Sequence, residues 1–219
     1  MTDDPIAIAR EKLFTAVLSD VLDAAGQRSQ AMRPGIRPLD DSLVMVGRAR
    51  TGLYMDIYHV QPGENAYELE IRLVDDLKPD EVVVLAAGAS GRIAPWGELL
   101  STASRARRAA GCVTDGLVRD VRAIRGLQFP VFAGGIGPLD TKGRGKVVAI
   151  DVPVECGGVA VRPGDLLFGD ADGVVVVPRE IEGEILGAAV EKVAGEDRTR
   201  AALERGEKLA DVFARHGIL

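Results

Sequence analysis

The strongest constraint on this chain lies between Val82 and Ala133, where short β-branched runs alternate with amphipathic stretches across brief connections. Val82-Val-Val-Leu-Ala86, Cys112-Val-Thr-Asp115 and Phe129-Pro-Val-Phe-Ala133 read as strands, with helices at Gly97 to Ala110 and Val121 to Leu127. Leu99, Leu100, Ala103 and Ala106 form the inward stripe expected of the first helix. This rhythm fits an α/β layer with at least some parallel pairing, because each crossover returns the chain to the same sheet.

The flanks obey other rules. Residues 5–25 read as one helix through Leu13, Ala16, Val17 and Val21, closed by Gly26. Two prolines between Met32 and Leu39 force a loop, and Leu43 to Tyr54 reads as a bent strand. An amphipathic helix is expected over 65–77, stopped at Lys78-Pro79. Residues 147–178 hold short Val-rich runs too closely spaced for crossover helices, which predicts an antiparallel meander. Residues 180–215 return to helix. No repeat or linker divides the chain, so 1–219 is expected to be one domain with 180–219 as a C-terminal helical segment.

Composition removes several classes of function. With 27 basic against 33 acidic residues the net charge is −6, which disfavours a nucleic-acid partner. Arg105, Arg107, Arg108, Arg122 and Arg125 lack interleaved aromatics and fit a solvated or subunit-contacting face better than an RNA surface. No apolar run has the length of a membrane span and Met1-Thr-Asp-Asp-Pro does not open like a signal segment, so a cytoplasmic location without membrane contact is expected. Cys112 and Cys156 sit in apolar runs and suit buried, reduced thiols. There is no Cys-x-x-Cys pair, and His59 and His216 lie beside no nucleophile pattern, which argues against structural zinc and a histidine-dependent hydrolase. The glycine-rich stretch Gly134 to Lys146 fails the phosphate-loop pattern because Asp140 stands where glycine is required. It reads as a mobile loop.

Two polar clusters remain. Gly97-Glu98-Leu99-Leu100 opens a helix whose first-turn N–H groups are free for an anion such as a carboxylate, although Glu98 also suits a plain helix-dipole partner. Asp115-Gly116-Leu-Val-Arg119-Asp120 lies at a strand-to-helix junction, where a rigid strand positions side chains and a loop exposes them. Singly, Asp115 suits an Asp-Gly turn and Asp120 a helix cap. If Glu98, Asp115, Asp120 and Arg119 converge, they make a site for a hard divalent cation and a carboxylate substrate.

An acidic residue, twenty intervening residues and then Arg-Asp, here Glu98 and Arg119-Asp120, resembles the RraA-like family. The likeness runs from Leu18-Ser-Asp-Val-Leu to Asp172-Gly-Val-Val-Val-Val-Pro178. That family includes the class II pyruvate aldolases of 4-hydroxy-4-methyl-2-oxoglutarate and 4-carboxy-4-hydroxy-2-oxoadipate, as well as non-catalytic regulators that bind a ribonuclease and lack the aspartate retained here as Asp120. The resemblance implies a β/β/α swivelling-type fold with C-terminal helices, assembled as trimers or hexamers. It also implies Mg²⁺ or Mn²⁺ held by Asp120 directly and by Glu98 through water, substrate contact by Arg119, and a pyruvate carboxylate on the N–H groups of Leu99 and Leu100 beside Gly97. The implied reaction cleaves a 4-hydroxy-2-oxo diacid to pyruvate and a second 2-oxo acid, with oxaloacetate decarboxylation as a side activity; a related sugar-acid lyase keeps the same metal site. The best-known aldolases of that family carry Asp at the position of Glu98, and many relatives carry Arg where this chain has Gly134-Gly135. The resemblance also implies a further acidic residue from the C-terminal helix of a neighbouring subunit, for which Glu196 is the candidate.

Overall fold

The computed structural model describes residues 4–88 and 90–217; Met1–Asp3 of the acidic opening lie outside them. The chain starts with helices α1 (Pro5–Lys12) and α2 (Thr15–Ala24), not the single helix expected. The break carries neither proline nor glycine. Leu13 and Phe14 are extended, and Thr15 is tied through its N–H (2.8 Å) and Oγ1 (2.7 Å) to the carboxylate of Asp170. A distant hydrogen-bonding partner thus overrides local helical propensity.

The short strand β1 (Arg37–Pro38) precedes β2 (Met45–Asp56), α3 (Glu68–Asp75), β3 (Glu81–Ala86), α4 (Glu98–Ala106), β4 (Gly111–Val118), α5 (Val121–Leu127) and β5 (Val131–Ile136). Strands β2, β3, β4 and β5 pair in parallel in that order, as the alternation requires. Strand β3 is buried on both faces, which is why it is written as an unbroken apolar run. Val83 and Leu85 pack with Leu73, Ile93, Trp96 and Ile124 on the helical side; Val82 and Val84 pack with Met45, Phe132, Val159 and Leu167 on the other.

The second half follows a different plan from a simple meander. Strand β6 (Gly145–Ile150) is antiparallel to the end of β2, and β7 (Val154–Cys156) with β8 (Val159–Val161) makes a separate hairpin. Strands β9 (Leu166–Asp170) and β10 (Gly173–Val177) form another hairpin added to the start of β2. The pairings are antiparallel as expected, but β2 divides one edge between β9 and β6. It can do so because it is 12 residues long and bulges at Leu53/Tyr54. Helices α6 (Glu182–Glu204) and α7 (Leu209–His216) close the chain; α6 packs with α1 and α2 over Phe168, Val175 and Val177. Cys112 and Cys156 are buried and unbridged.

Candidate active site

The C-terminal end of β4 opens on a cleft of about 340 Å³. This is where an open parallel sheet offers ligands a crevice. Tyr67, Glu70, Trp96, Gly97, Leu99, Leu100, Arg119, Asp120, Asp140 and Thr141 are among its lining.

Strand β4 runs on past Asp115 to Val118, beside which Trp96 makes a parallel bridge. The Arg119 N–H donates to the Trp96 carbonyl at 3.0 Å, setting the start of α4 against the end of β4. Trp96 is fully buried, and its indole N–H donates to Ser101 Oγ (2.8 Å), whose hydroxyl donates to the Gly97 carbonyl (3.0 Å). These bonds hold the first turn of α4 in one orientation. Gly97 is required by close approach, since a Cβ there would stand 2.8 Å from Asp120 Oδ2 and 3.2 Å from Arg119 Nε. The inward side of α4 is Ser101, Ser104, Leu100 and Ala103; Leu99 is 76% exposed and Ala106 is also exposed, contrary to the expected stripe. Leu99 thus stands at the cleft mouth.

Asp120 precedes α5 in a left-handed conformation (φ 58°, ψ 30°) and its side chain makes no cap bond to that helix. It turns to the other helix, where its Oδ2 accepts from the Glu98 N–H at 3.3 Å. A carboxylate therefore occupies the positive end of α4, and Leu99 and Leu100 follow with first-turn N–H groups that have no intrahelical partner. Glu98 lies along its own helix, accepting from the Thr102 hydroxyl at 2.7 Å. Arg119 lies between two carboxylates, with Nε 3.7 Å from Asp120 Oδ2 and Nη1 3.3 Å from Asp140 Oδ1.

Gly97, Glu98, Leu99, Leu100, Arg119 and Asp120 therefore meet at one mouth. Asp115 does not join them. It is 5% exposed, and its carboxylate accepts from the N–H of Ala87 (2.6 Å) and of Gly157 (3.4 Å) beside a different cavity, which explains its burial without any ligand. Glu196 is on α6, whose neighbours are α1, α2 and α7, and it does not line the cleft of its own chain.

Sequence reasoning missed Tyr67, Glu70 and Asp140. Asp140 sits in the connection between β5 and β6, part of the glycine-rich stretch set aside as a loop, and accepts from the Tyr67 hydroxyl at 2.7 Å. Burial works against its ionisation, yet the Tyr67 hydroxyl, the Thr141 N–H and Arg119 together hold its carboxyl below the usual carboxylate range. Tyr67 is pushed up to about 12 by burial and by the hydrogen bond to Asp140 and its charge. Glu70, in the first turn of α3, is raised to about 7, chiefly by burial and also by the Asp140 charge, with Tyr54 and Arg119 opposing. An acidic residue in a first helical turn reads as a dipole partner, so nothing local marks Glu70 as buried.

The donors at the mouth are all oxygens, which suit a hard cation. Among the described residues no three His, Cys, Asp or Glu side chains form a ready cage. One or two carboxylates with water and substrate completing the shell is the manner in which Mg²⁺ binds, so the residues present fit that ion.

The family model RraA-like, Aldolase/RraA, matches residues 15–176. A Halalkalibacterium halodurans protein provisionally named a 4-hydroxy-4-methyl-2-oxoglutarate aldolase is 34% identical over 189 residues, covering 86% of this chain and 84% of that one. A solved structure of an uncharacterized Pseudomonas syringae pv. tomato protein matches with TM-score 0.83 at 26% identity, over 95% of this chain and 96% of the other. Streptomyces coelicolor RraAS2, described as an unusual member of the RNase ES inhibitor RraA family, matches with TM-score 0.80 at 27% identity, over 91% and 97%. No helix among the described residues is long and apolar enough to cross a membrane.

Proposed function

Because the chain belongs to the RraA-like family, we propose that it is a divalent-metal-dependent carbon–carbon lyase that releases pyruvate from a 4-hydroxy-2-oxo acid. The observation that carries this reading is the placement of Asp120. It spends a left-handed backbone conformation, costs its own helix a cap, and stands beside Arg119 and the free first-turn N–H groups of α4.

In this reading Asp120 holds Mg²⁺ or Mn²⁺, with Glu98 reaching the ion through water. The ion supplies Lewis acidity toward the negative charge that develops on a 2-oxo acid as its C3–C4 bond breaks. The chain's own groups do the rest. The N–H groups of Leu99 and Leu100 bind the substrate carboxylate, and Arg119, braced by Asp140, orients the 2-oxo group. The C4 hydroxyl loses a proton as C4 becomes a carbonyl carbon, and C3 gains one as it becomes the methyl of pyruvate, so the net reaction is proton-neutral. Oxaloacetate, on losing carbon dioxide, leaves the same negative charge on its pyruvate portion, which makes decarboxylation a second activity of the site. We further propose that the chain acts as a homo-oligomer, a trimer or hexamer. Leu99 and Ile136, 76% and 65% exposed, are apolar surface for a neighbouring copy to cover.

The test is coupled pyruvate release across 4-hydroxy-2-oxo acids and oxaloacetate, with Mg²⁺, with Mn²⁺ and with EDTA. Release that needs metal and is abolished in Asp120→Ala is expected. Undiminished turnover in EDTA would sink the reading, and ribonuclease capture without turnover would favour the regulator reading.

A further inference from the structure

The cleft has two ends of opposite character. Its mouth carries the α4 N–H groups, Arg119 and Asp120, whereas its inner wall holds the buried Glu70 and Thr141, with Tyr67 and the partly exposed Asp140, paired to Arg119, between the two. Arg119 is the one cation among the described lining residues, and Asp140 and Asp120 already flank it. A second carboxylate reaching the inner wall would meet two acidic side chains and no free positive charge. Leaving it there unpaired is costly, because desolvated anions need a counter-charge.

Tyr67 and Asp140 bond each other, but deeper in the wall the hydrogen-bonding capacity of Glu70 and Tyr54 is unspent. Glu70 is 5% exposed and pairs with no cation among the described residues. Behind it, Tyr54 is 4% exposed; its buried hydroxyl faces Glu70 and Thr141 but meets neither in hydrogen-bond geometry. The groups facing Glu70 are Tyr54 from β2, Tyr67 just before α3, Asp140 and Thr141 from the β5–β6 connection, and Arg119 from the end of β4. With its carboxyl raised to about 7, mainly by burial, Glu70 is present as both acceptor and donor near neutral pH. A hydroxyl satisfies either form, since it both donates and accepts; a carboxylate only accepts.

We infer that Glu70, backed by the Tyr54 hydroxyl, is a specificity-determining residue that binds a hydroxyl on the part of the substrate remote from its carboxylate. The substrate class is then a polyhydroxylated 2-oxo monocarboxylate, not the diacid that family resemblance implies. The inference rests on the lyase reading for its placement of the carboxylate at the mouth.

Two readouts on the intact protein with Mg²⁺ keep the two ideas separable. One compares pyruvate release from a six-carbon 4,5,6-trihydroxy-2-oxo acid and from 4-hydroxy-4-methyl-2-oxoglutarate. The other compares calorimetric affinity for two compounds that are not cleaved, gluconate and 2-hydroxyglutarate. The hydroxylated monocarboxylate is expected to be favoured at least about tenfold in both, and Glu70→Leu, which removes both donor and acceptor, should cut that preference about tenfold, mainly through KM. Tyr54→Phe, which deletes one hydroxyl, should lower it in the same direction and serves if Glu70→Leu does not fold. A wild-type preference for the diacids, or a preference unmoved in folded variants, overturns the inference. Absence of pyruvate from every compound would defeat the lyase reading while the affinity ratio still decides the role of Glu70.

Discussion

Asp115 and Asp120 stand at opposite ends of one Asp-Gly-Leu-Val-Arg-Asp stretch, yet their surroundings give them different tasks. Asp115 is buried, and backbone N–H groups from Ala87 and Gly157 approach its two oxygens, so it joins β4 to two neighbouring segments. Asp120 has half its side chain exposed, takes a left-handed backbone conformation and holds one long hydrogen bond to another helix. A buried carboxylate whose two oxygens each meet a backbone donor is committed to holding segments of the fold together. One displaced from its own cap, beside an arginine and free N–H groups, is available. Glu70 is a third case: it is as buried as Asp115, at 5%, but lacks those backbone donors.

The contrast breaks most sharply at Asp120. Asp120→Ala should lower kcat/KM for metal-dependent pyruvate release at least about 10³-fold, or about 4 kcal/mol of transition-state stabilisation, while the urea midpoint stays in place. A fall in stability with activity kept would make Asp120 another Asp115.

Glu70 sharpens it through pH. Its folded value of about 7 lies above the ordinary 4.5, so the folded chain keeps a proton that the unfolded chain has already released. The stabilisation is complete below about 4.5 and is lost as pH rises through about 7. Glu70→Gln, which cannot ionise, should therefore match the wild type near pH 4.5 and exceed its stability by about 3 kcal/mol at pH 8. Denaturant titrations at the two pH values check this, and parallel curves would show that Glu70 is as well compensated as Asp115.

Much of the frame behind this comparison was readable from the sequence. The parallel block follows from apolar runs and intervening helical periods, and α5 falls on Val121–Leu127 as read. Gly97 and Arg119-Asp120 carry local signals, namely a glycine opening a helix and charge at a strand end. What was hidden depends on long-range contacts. The break at Leu13 and Phe14 is made by Asp170, far along the chain. The division of one β2 edge between β6 and β9 leaves no mark within either strand. Tyr67 and Glu70 come from one segment and Asp140 from another, 73 residues beyond Tyr67, and they become a wall only when α3 and the β5–β6 connection meet. The two roles of Asp115 and Asp120 were likewise indistinguishable, because which N–H groups approach a carboxylate is a tertiary fact.

Asp115 should respond in the opposite sense to Asp120. Asp115→Asn turns one acceptor oxygen into an NH₂ that faces a backbone N–H, which leaves a buried donor unpaired and should cost about 2 kcal/mol of unfolding free energy. The rate per folded molecule should hold. A variant that loses rate at full stability would move Asp115 into the site.

The smallest effect tests the boundary between the two kinds of carboxylate. Glu98 is tied to Thr102 by a 2.7 Å hydrogen bond on its own helix, so its side chain looks structural, yet it starts the turn that Asp120 approaches. If Glu98 holds the ion through water, Glu98→Gln weakens Mn²⁺ binding about tenfold, the usual cost of losing an outer-shell carboxylate, with little change in stability. Thr102→Val separates this from a helix effect, because it removes the tether and keeps the charge. Titration of Mn²⁺ by electron paramagnetic resonance should then show Glu98→Gln weakened and Thr102→Val at or above wild-type affinity. Equal weakening in both would mean that Glu98 serves the helix first, leaving Asp120 as the sole protein carboxylate that this chain commits to the metal.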